Sequence, residues 1–398
     1  MKESVFKYYI YTVVGIIIPV VAYILSPGHA GIPGALSAIW VFVVFCTMRQ
    51  SKLLTQTRLF PYFKWLIIVI AIGAFQAVIN LNSDQVRFTL FITHLLSWLM
   101  ISICYLVKDA NSIKYFAEAY LLVLIPTAFL SAFTWSGFLM FDVLHILLPL
   151  TLFLLICDFF PKMYRILIIA VLFIGLIYDS SSRSCLLTII VCVSLYIVNI
   201  FLPKIIVKHI LRYARILFFI APIVLLFLGI FGNFNVFSSI EGMDVSSYNI
   251  ESRKSEDRLL NTDSRTGVYL DVLNNIEGPS DIIIGKGCVI TLPSAWTTDR
   301  HSVEAEFLNI YLRYGLVGCV VFFLLLWKIS NKGMYETNNT LTMLVSVYIA
   351  YRFLFTFIED AGLNPIIYVA LGICLNPSIR NMTDEQLKIV LNKKIHLR

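Results

Sequence analysis

Arginines inside apolar sequence are the residues whose type and position most directly suggest chemistry. Arg313 lies in an apolar run near 305–327, and Arg352 lies in another near 340–358. A charge there is costly and usually faces a cavity or a partner, so both are candidate binding residues. Glu306 is seven residues before Arg313, on the same helix face. A structural ion pair between helices, such as Arg352 with Glu306, is the alternative.

Two further arginines stand where an anion could bind. Arg183 lies among four serines, in SSSRS at 180–184, at the start of an apolar run, where free N–H groups of a helix N-terminus favour an anion. Arg265 opens DSRTGVYLDVLNNI (263–276), a plausible amphipathic helix that Gly278-Pro279 would end. The alternatives are an interfacial, snorkelling Arg183 and an exposed surface Arg265.

His301 is the candidate base. Ser302 could cap the helix that follows, with Glu304 and Glu306 in its first turn. The imidazole would then precede the positive end of the helix dipole, which lowers its pKa and keeps it neutral, as a general base requires. The alternative is a solvated histidine in a loop.

The elements that must position these residues are apolar. Only 14% of the 398 residues are charged, against about 25% in soluble domains. Apolar runs long enough to cross a bilayer recur throughout the chain. We expect an all-α bundle of about twelve transmembrane helices, near 9–25, 32–47, 63–80, 88–107, 117–134, 138–157, 166–178, 185–202, 216–232, 305–327, 340–358 and 364–376.

The basic residues set the expected orientation. With both termini in the cytoplasm, 21 of the 31 Lys and Arg residues fall in inner segments, Arg215 among them, and the short outer loops hold only Arg87 and Arg183. The net charge of +7 therefore reflects topology and does not indicate nucleic-acid binding.

The predicted organisation has four parts. Residues 1–232 carry helices one to nine, 233–304 form a large, partly helical outer loop, 305–376 carry the last three helices, and 377–398 form a basic cytoplasmic tail. A structureless loop of that length is uncommon in a compact protein, so the loop is either disordered or functional.

This pattern resembles the bacterial O-antigen polymerases and ligases, the Wzy and WaaL families. The similarity lies in one large loop before the last three spans, in Arg265 with Tyr269 before the glycine turn IIIGKG (282–287), in His301 before a helix containing YGLVG, and in the Ser-Arg motif at 180–184. Ser302 and Tyr269 depart from the usual Asn and Trp, which leaves polymerase against ligase open.

The resemblance implies metal-independent, inverting glycosyl transfer from undecaprenyl-diphosphate-linked oligosaccharide at the periplasmic face of the inner membrane. His301 would accept the acceptor proton, and Arg183 and Arg265 would neutralise the diphosphate, because a guanidinium binds phosphate through two hydrogen bonds. Substrate-binding roles are expected for Arg352, Arg313, Glu304, Tyr269 and Arg258. The expected partners are the lipid-linked oligosaccharide, membrane lipid and a candidate chain-length regulator, and no cofactor is expected.

Two other functions fit the composition. A ligase that moves finished polymer onto lipid A–core would use the same donor chemistry. A twelve-span transporter of lipid-linked sugar is the third candidate, although such transporters usually show two related halves and broken helices. We find no internal repeat, and the loop divides the predicted spans nine to three.

Overall fold

The computed structural model describes residues 60–79, 102–133, 147–178, 183–230, 244–249, 254–259, 272–287, 305–358 and 365–392. Within these ranges the chain is helical apart from one two-stranded hairpin, which confirms the predicted helical class. The helices are α1 (Phe60–Ile79), α2 (Ser102–Leu106), α3 (Ala110–Phe133), α4 (Leu150–Leu155), α5 (Lys162–Tyr178), α6 (Arg183–Phe201), α7 (Lys204–Ile230), α8 (Pro279–Ile284), α9 (Glu306–Tyr335), α10 (Thr340–Phe355), α11 (Pro365–Leu375), α12 (Pro377–Arg380) and α13 (Asp384–Asn392).

Every predicted apolar segment from the third to the twelfth contains described helix, and the first two segments lie outside the described residues. One described helix, α9, is long and apolar enough to cross a membrane by length and composition.

Helix α10 lies at the centre of the structure. All sixteen of its residues are buried, and it packs against α7, α9 and α11. Its sequence, TLTMLVSVYIAYRFLF, has no polar face, as expected for a helix surrounded by others. Arg352 lies in its last turn, so the one charged side chain of this helix is held inside the bundle.

The C-terminal segment folds back onto the bundle. The Asn339 side chain accepts a hydrogen bond from the Thr342 N–H and donates to the carbonyls of Ile379, Arg380 and Met382. In α13, Leu387 and Leu391 are fully buried, and the Lys388 Nζ lies 2.6 Å from an Asp158 carboxylate oxygen. The basic tail, to which the sequence analysis assigned no structure, is therefore partly a docked amphipathic helix.

The described part of the outer loop holds a hairpin and α8. Strands β1 (Asp244–Asn249) and β2 (Lys254–Leu259) pair antiparallel, with Asp244 opposite Leu259. Residues 272–274 are helical, and this helix ends before Gly278-Pro279, in agreement with the stop that the sequence predicts there. Gly278 is the N-cap of α8 and Pro279 is its first residue. Proline is favoured at this position because the first N–H of a helix has no partner within the helix.

Candidate active site

The site begins with a break in α9. Gly315 has φ 61° and ψ −162°, so the helix is interrupted there, and carbonyl groups before the break lose their partners within the helix. The outer loop replaces them. The Lys286 N–H donates to the Leu312 carbonyl at 2.7 Å, and the Gly287 N–H donates to the Arg313 carbonyl at 3.1 Å.

The glycines at this contact cannot be replaced by larger residues without strain. Gly285 and Gly287 have φ values of 77° and 91°, which other residues rarely adopt. A Cβ on Gly285 would lie 2.5 Å from the Arg313 carbonyl carbon, and one on Gly315 would lie 2.4 Å from the Ile283 carbonyl carbon. The turn Gly285–Gly287 and the broken helix therefore approach backbone to backbone.

Helix α1 closes the other side of the break. The buried Tyr314 ring packs directly against Gly73 of α1. A Cβ on Gly73 would lie 2.4 Å from the Tyr314 Cε1 atom. A Cβ on Gly287 would lie 3.0 Å from the Gln76 Cβ. Helix α1, the glycine turn and α9 therefore meet at one point.

Three of the ionisable residues singled out in the sequence line one cavity beside this break. They are Arg313, Arg352 and Glu306, and the cavity volume is about 70 Å³. Its walls are otherwise mostly apolar and come from α1, α9, α10 and α11, including Ile70, Leu325 and Leu371.

The two arginines differ in their surroundings. Arg352 is 1% exposed, and its guanidinium lies 4.5 Å from the centre of the Phe355 ring, a cation–π contact. Arg313 is only half-buried. Glu306 is buried at the first position of α9. The cavity thus combines two cations with one carboxylate.

The end of α10 fixes the start of α9. The Phe307 N–H donates to the Thr356 carbonyl at 2.9 Å, and the Phe307 and Phe357 rings stack with centroids 3.9 Å apart. This junction holds Glu306 and Arg352 at the same end of the bundle. Two arginines and one glutamate give the cavity a net positive charge, and its walls are apolar. Such a cavity is suited to bind an anion that is attached to a hydrocarbon chain.

The other predicted site residues are placed only in part. His301, Arg265, Glu304 and Tyr269 lie outside the described residues. Arg183 is the first residue of α6, and Arg258 lies in β2 opposite Val245, but their side chains are outside the described part.

The helix-start argument for His301 was wrong in its boundary. Helix α9 begins at Glu306 with Ala305 as an extended N-cap, so Ser302 is not the cap and His301 is five residues before the first helical residue.

Arg215 is a buried residue that sequence reasoning missed. It was counted among the bases of a short inner segment, yet it lies in the middle of α7 and is 1% exposed. Its Nε donates to the Ser330 hydroxyl at 2.8 Å, and the guanidinium lies 4.4 Å from the Trp327 ring centre. The signal was present, because Val207, Leu211 and Phe219 repeat the same four-residue spacing and are buried too.

Lys114 and Glu385 lie outside the predicted spans and have shifted pKa values. Burial lowers the pKa of Lys114, with Glu118 acting in the opposite direction. The pKa of Glu385 is lowered first by a hydrogen bond from its own backbone N–H, then by Thr383 and by Lys204. The ionised Glu385 therefore persists as pH falls below the ordinary value for a glutamate and is lost only at the lowered pKa.

Within the described residues, no group of three or more His, Cys, Asp or Glu side chains could hold a metal ion. Comparison of the chain with protein-family models, with curated proteins and with solved structures finds no significant match.

Proposed function

We propose that this chain is an integral membrane protein that polymerises lipid-linked oligosaccharide repeat units. The membrane part of the proposal is supported by large apolar side chains that face away from the core. They occur on successive turns of several helices, including Trp65, Ile68, Ile72 and Phe75 of α1, Leu217, Ile220, Ile223 and Val224 of α7, and Leu316, Val317, Val320 and Leu324 of α9.

Such surfaces are unfavourable in water and favourable in lipid. Exposed apolar patches larger than a few hundred Å² are rare on soluble monomers and mark interaction or membrane surfaces. We therefore propose about twelve spans, with both termini in the cytoplasm and residues 233–304 in the periplasm, as the distribution of Lys and Arg indicates. The protein would then reside in a bacterial inner membrane.

The observation that carries the enzymatic proposal is the cavity shared by Arg313, Arg352 and Glu306. In the proposed orientation, α9 enters the membrane from the outer side near Glu306, and α10 reaches the outer side near Arg352. The cavity would therefore lie toward the periplasmic leaflet, where a diphosphate carried on an isoprenoid could meet the two guanidinium groups and rest its tail against the apolar wall.

The proposed reaction is an inverting glycosyl transfer. The oxygen of an acceptor hydroxyl attacks the anomeric carbon of the donor sugar, and the bond from that carbon to the diphosphate oxygen breaks. The acceptor proton passes to His301, and undecaprenyl diphosphate leaves with the bonding electron pair. Arg183 and Arg265 would neutralise the diphosphate together with Arg313 and Arg352, while Glu304, Tyr269 and Arg258 would contact the sugars.

Replacement of His301 tests this mechanism in cells. His301→Ala should abolish long-chain polysaccharide at normal protein levels, because the acceptor hydroxyl loses its base. A polysaccharide gel with a membrane immunoblot would measure both quantities. Wild-type chain length in this variant would remove His301 from the mechanism.

The deletion phenotype separates polymerase from ligase. A strain that lacks a polymerase carries single repeat units on lipid A–core. A strain that lacks a ligase carries bare core and retains polymer on the undecaprenyl carrier.

One observation favours a transporter as the second candidate. Transporters of several folds bind substrate at interrupted helices, and α9 is interrupted at Gly315. Vesicles that contain the purified protein distinguish the two, since a transporter moves intact lipid-linked oligosaccharide between leaflets and a polymerase converts it to longer chains with release of lipid diphosphate.

A further inference from the structure

The contact between the outer loop and the break in α9 suggests a role for the turn Gly285–Gly287, which acts through its backbone. The turn Gly285–Gly287 supplies backbone N–H groups to the carbonyls of Leu312 and Arg313, the residue whose side chain lines the cavity. A displacement of this turn would therefore move the backbone that carries the Arg313 guanidinium.

The turn is itself held on three sides. The Lys286 Nζ lies 2.8 Å from a Glu277 carboxylate oxygen and 3.6 Å from one of Asp281. The Gly285 N–H donates to the Asp281 carbonyl at 3.1 Å, which ends α8. Gly287 lies against Gln76 of α1. The turn is thus anchored to α8 and α1 and not only to α9.

We infer that the Gly285–Gly287 turn of the outer loop is a positioning element that sets the place of Arg313 for an isoprenoid diphosphate. This inference rests on the proposed function, because it takes the diphosphate as the ligand of the cavity. It goes further by assigning the turn a role in donor affinity, so that residues 279–287 connect the loop that contacts sugars to the cation that contacts phosphate.

Geometry sets the size of the effect. Bidentate recognition of phosphate by arginine depends on direction as well as distance, so a small displacement of the Arg313 backbone weakens it strongly. The Cβ of an alanine at position 285 would lie 2.5 Å from backbone atoms of Arg313 and Tyr314, and backbone cannot easily move away. The Cβ of an alanine at position 287 would lie 3.0 Å from the Gln76 Cβ, so this is the milder change.

Binding of undecaprenyl diphosphate to the full-length protein in lipid nanodiscs, followed by native mass spectrometry, tests the inference. We expect Gly287→Ala and Arg313→Gln each to raise the Kd about tenfold, and Gly285→Ala to raise it further. Gly278→Ala is the matched control, because the nearest atom to its Cβ is the Ser280 Oγ at 4.0 Å. It should bind as the wild type does.

The decisive comparison is the double variant Gly287→Ala with Arg313→Gln. If the turn acts through Arg313, the second change adds nothing to the first, whereas independent effects would multiply. Multiplied effects, or wild-type affinity in both glycine variants at unchanged Tm, would overturn the inference. A wild-type protein that does not bind undecaprenyl diphosphate would instead contradict the proposed function.

Hydrogen exchange of the unliganded protein provides a readout that needs no ligand. Gly285→Ala and Gly287→Ala should speed amide exchange between residues 312 and 318, because the break in α9 loses its cap. Arg313→Gln should leave that exchange unchanged. Equal exchange in wild type and both glycine variants would show that the turn does not hold the break.

Discussion

Two buried arginines of this protein have different surroundings, and the difference indicates different roles. Arg215 is enclosed by Trp327, Phe219 and Tyr335 and bonded to Ser330, so its charge is used in packing. Arg352 is equally buried but borders a cavity that also receives Arg313. We therefore interpret Arg215 as a structural residue and keep ligand binding by Arg352 as part of the proposed function.

Arg215→Met tests the structural assignment. Methionine retains much of the apolar volume but loses the cation–π contact and the hydrogen bond to Ser330, which should lower the free energy of unfolding by about 2 kcal/mol. Thermal unfolding in detergent would show a lower Tm, while the donor affinity of the folded protein stays that of the wild type. Lys208→Met is the control, because Lys208 is exposed on the same helix. An unchanged Tm in Arg215→Met would contradict the assignment.

Sequence alone singled out Arg313 and Arg352 as candidate binding residues and Glu306 as a residue on the same helix face as Arg313, because a charge inside an apolar run can be recognised from its neighbours. Their shared cavity could not be predicted, since it depends on how α1, α9, α10 and α11 pack. Arg215 was assigned to a loop because the apolar run was taken to begin after it, although the α7 helix begins at Lys204.

At the scale of elements, helices and loop are joined by contacts between distant parts of the chain. The glycines of IIIGKG were predicted to form a turn, but the sequence does not show that the turn caps a broken helix, since these residues are separated from Gly315 by a long stretch of sequence. Local patterns predict elements, and contacts across sequence depend on packing that patterns do not encode.

The docked tail helix α13 gives a prediction at this scale. Leu387 is fully buried, so Leu387→Ala should destabilise the docking of α13 by about 2–5 kcal/mol, the usual range for a buried leucine. Limited proteolysis of inverted membrane vesicles should then cleave the tail faster. Ile389→Ala, at a residue that is 70% exposed, is the control and should be cleaved at the wild-type rate. Equal cleavage of both variants would show that α13 does not depend on Leu387.

At the scale of the whole molecule, apolar side chains cover both the core and the outer faces of the helices. A soluble protein would place polar residues on those faces, and the described helices place isoleucine, phenylalanine and leucine there. Composition predicted this property well, because it is a sum over the whole chain and does not depend on any one contact.

Cysteine labelling tests the proposed topology. Cys288 lies in the predicted periplasmic loop, and the six described cysteines are buried. A membrane-impermeant maleimide should label Cys288 in spheroplasts, and Cys288→Ser should remove that label. A cysteine introduced by Ser378→Cys into the Cys288→Ser background should react only after permeabilisation. Labelling of Ser378→Cys in intact spheroplasts would reverse the orientation and place the Arg313 cavity on the other side.

The most direct measurement follows lipid-linked repeat units with purified protein in vesicles, without nucleotide or ion gradient. Our account predicts that the wild type lengthens the sugar chain and releases one undecaprenyl diphosphate for each bond formed. Arg352→Gln should lose about a hundredfold in this rate, measured per folded molecule, because a buried guanidinium contact to the leaving group is worth roughly 3 kcal/mol. Arg165→Gln, whose side chain pairs with Asp158 away from the cavity, should keep the wild-type rate. Repeat units that remain single while crossing the bilayer intact would contradict the account and favour a transporter.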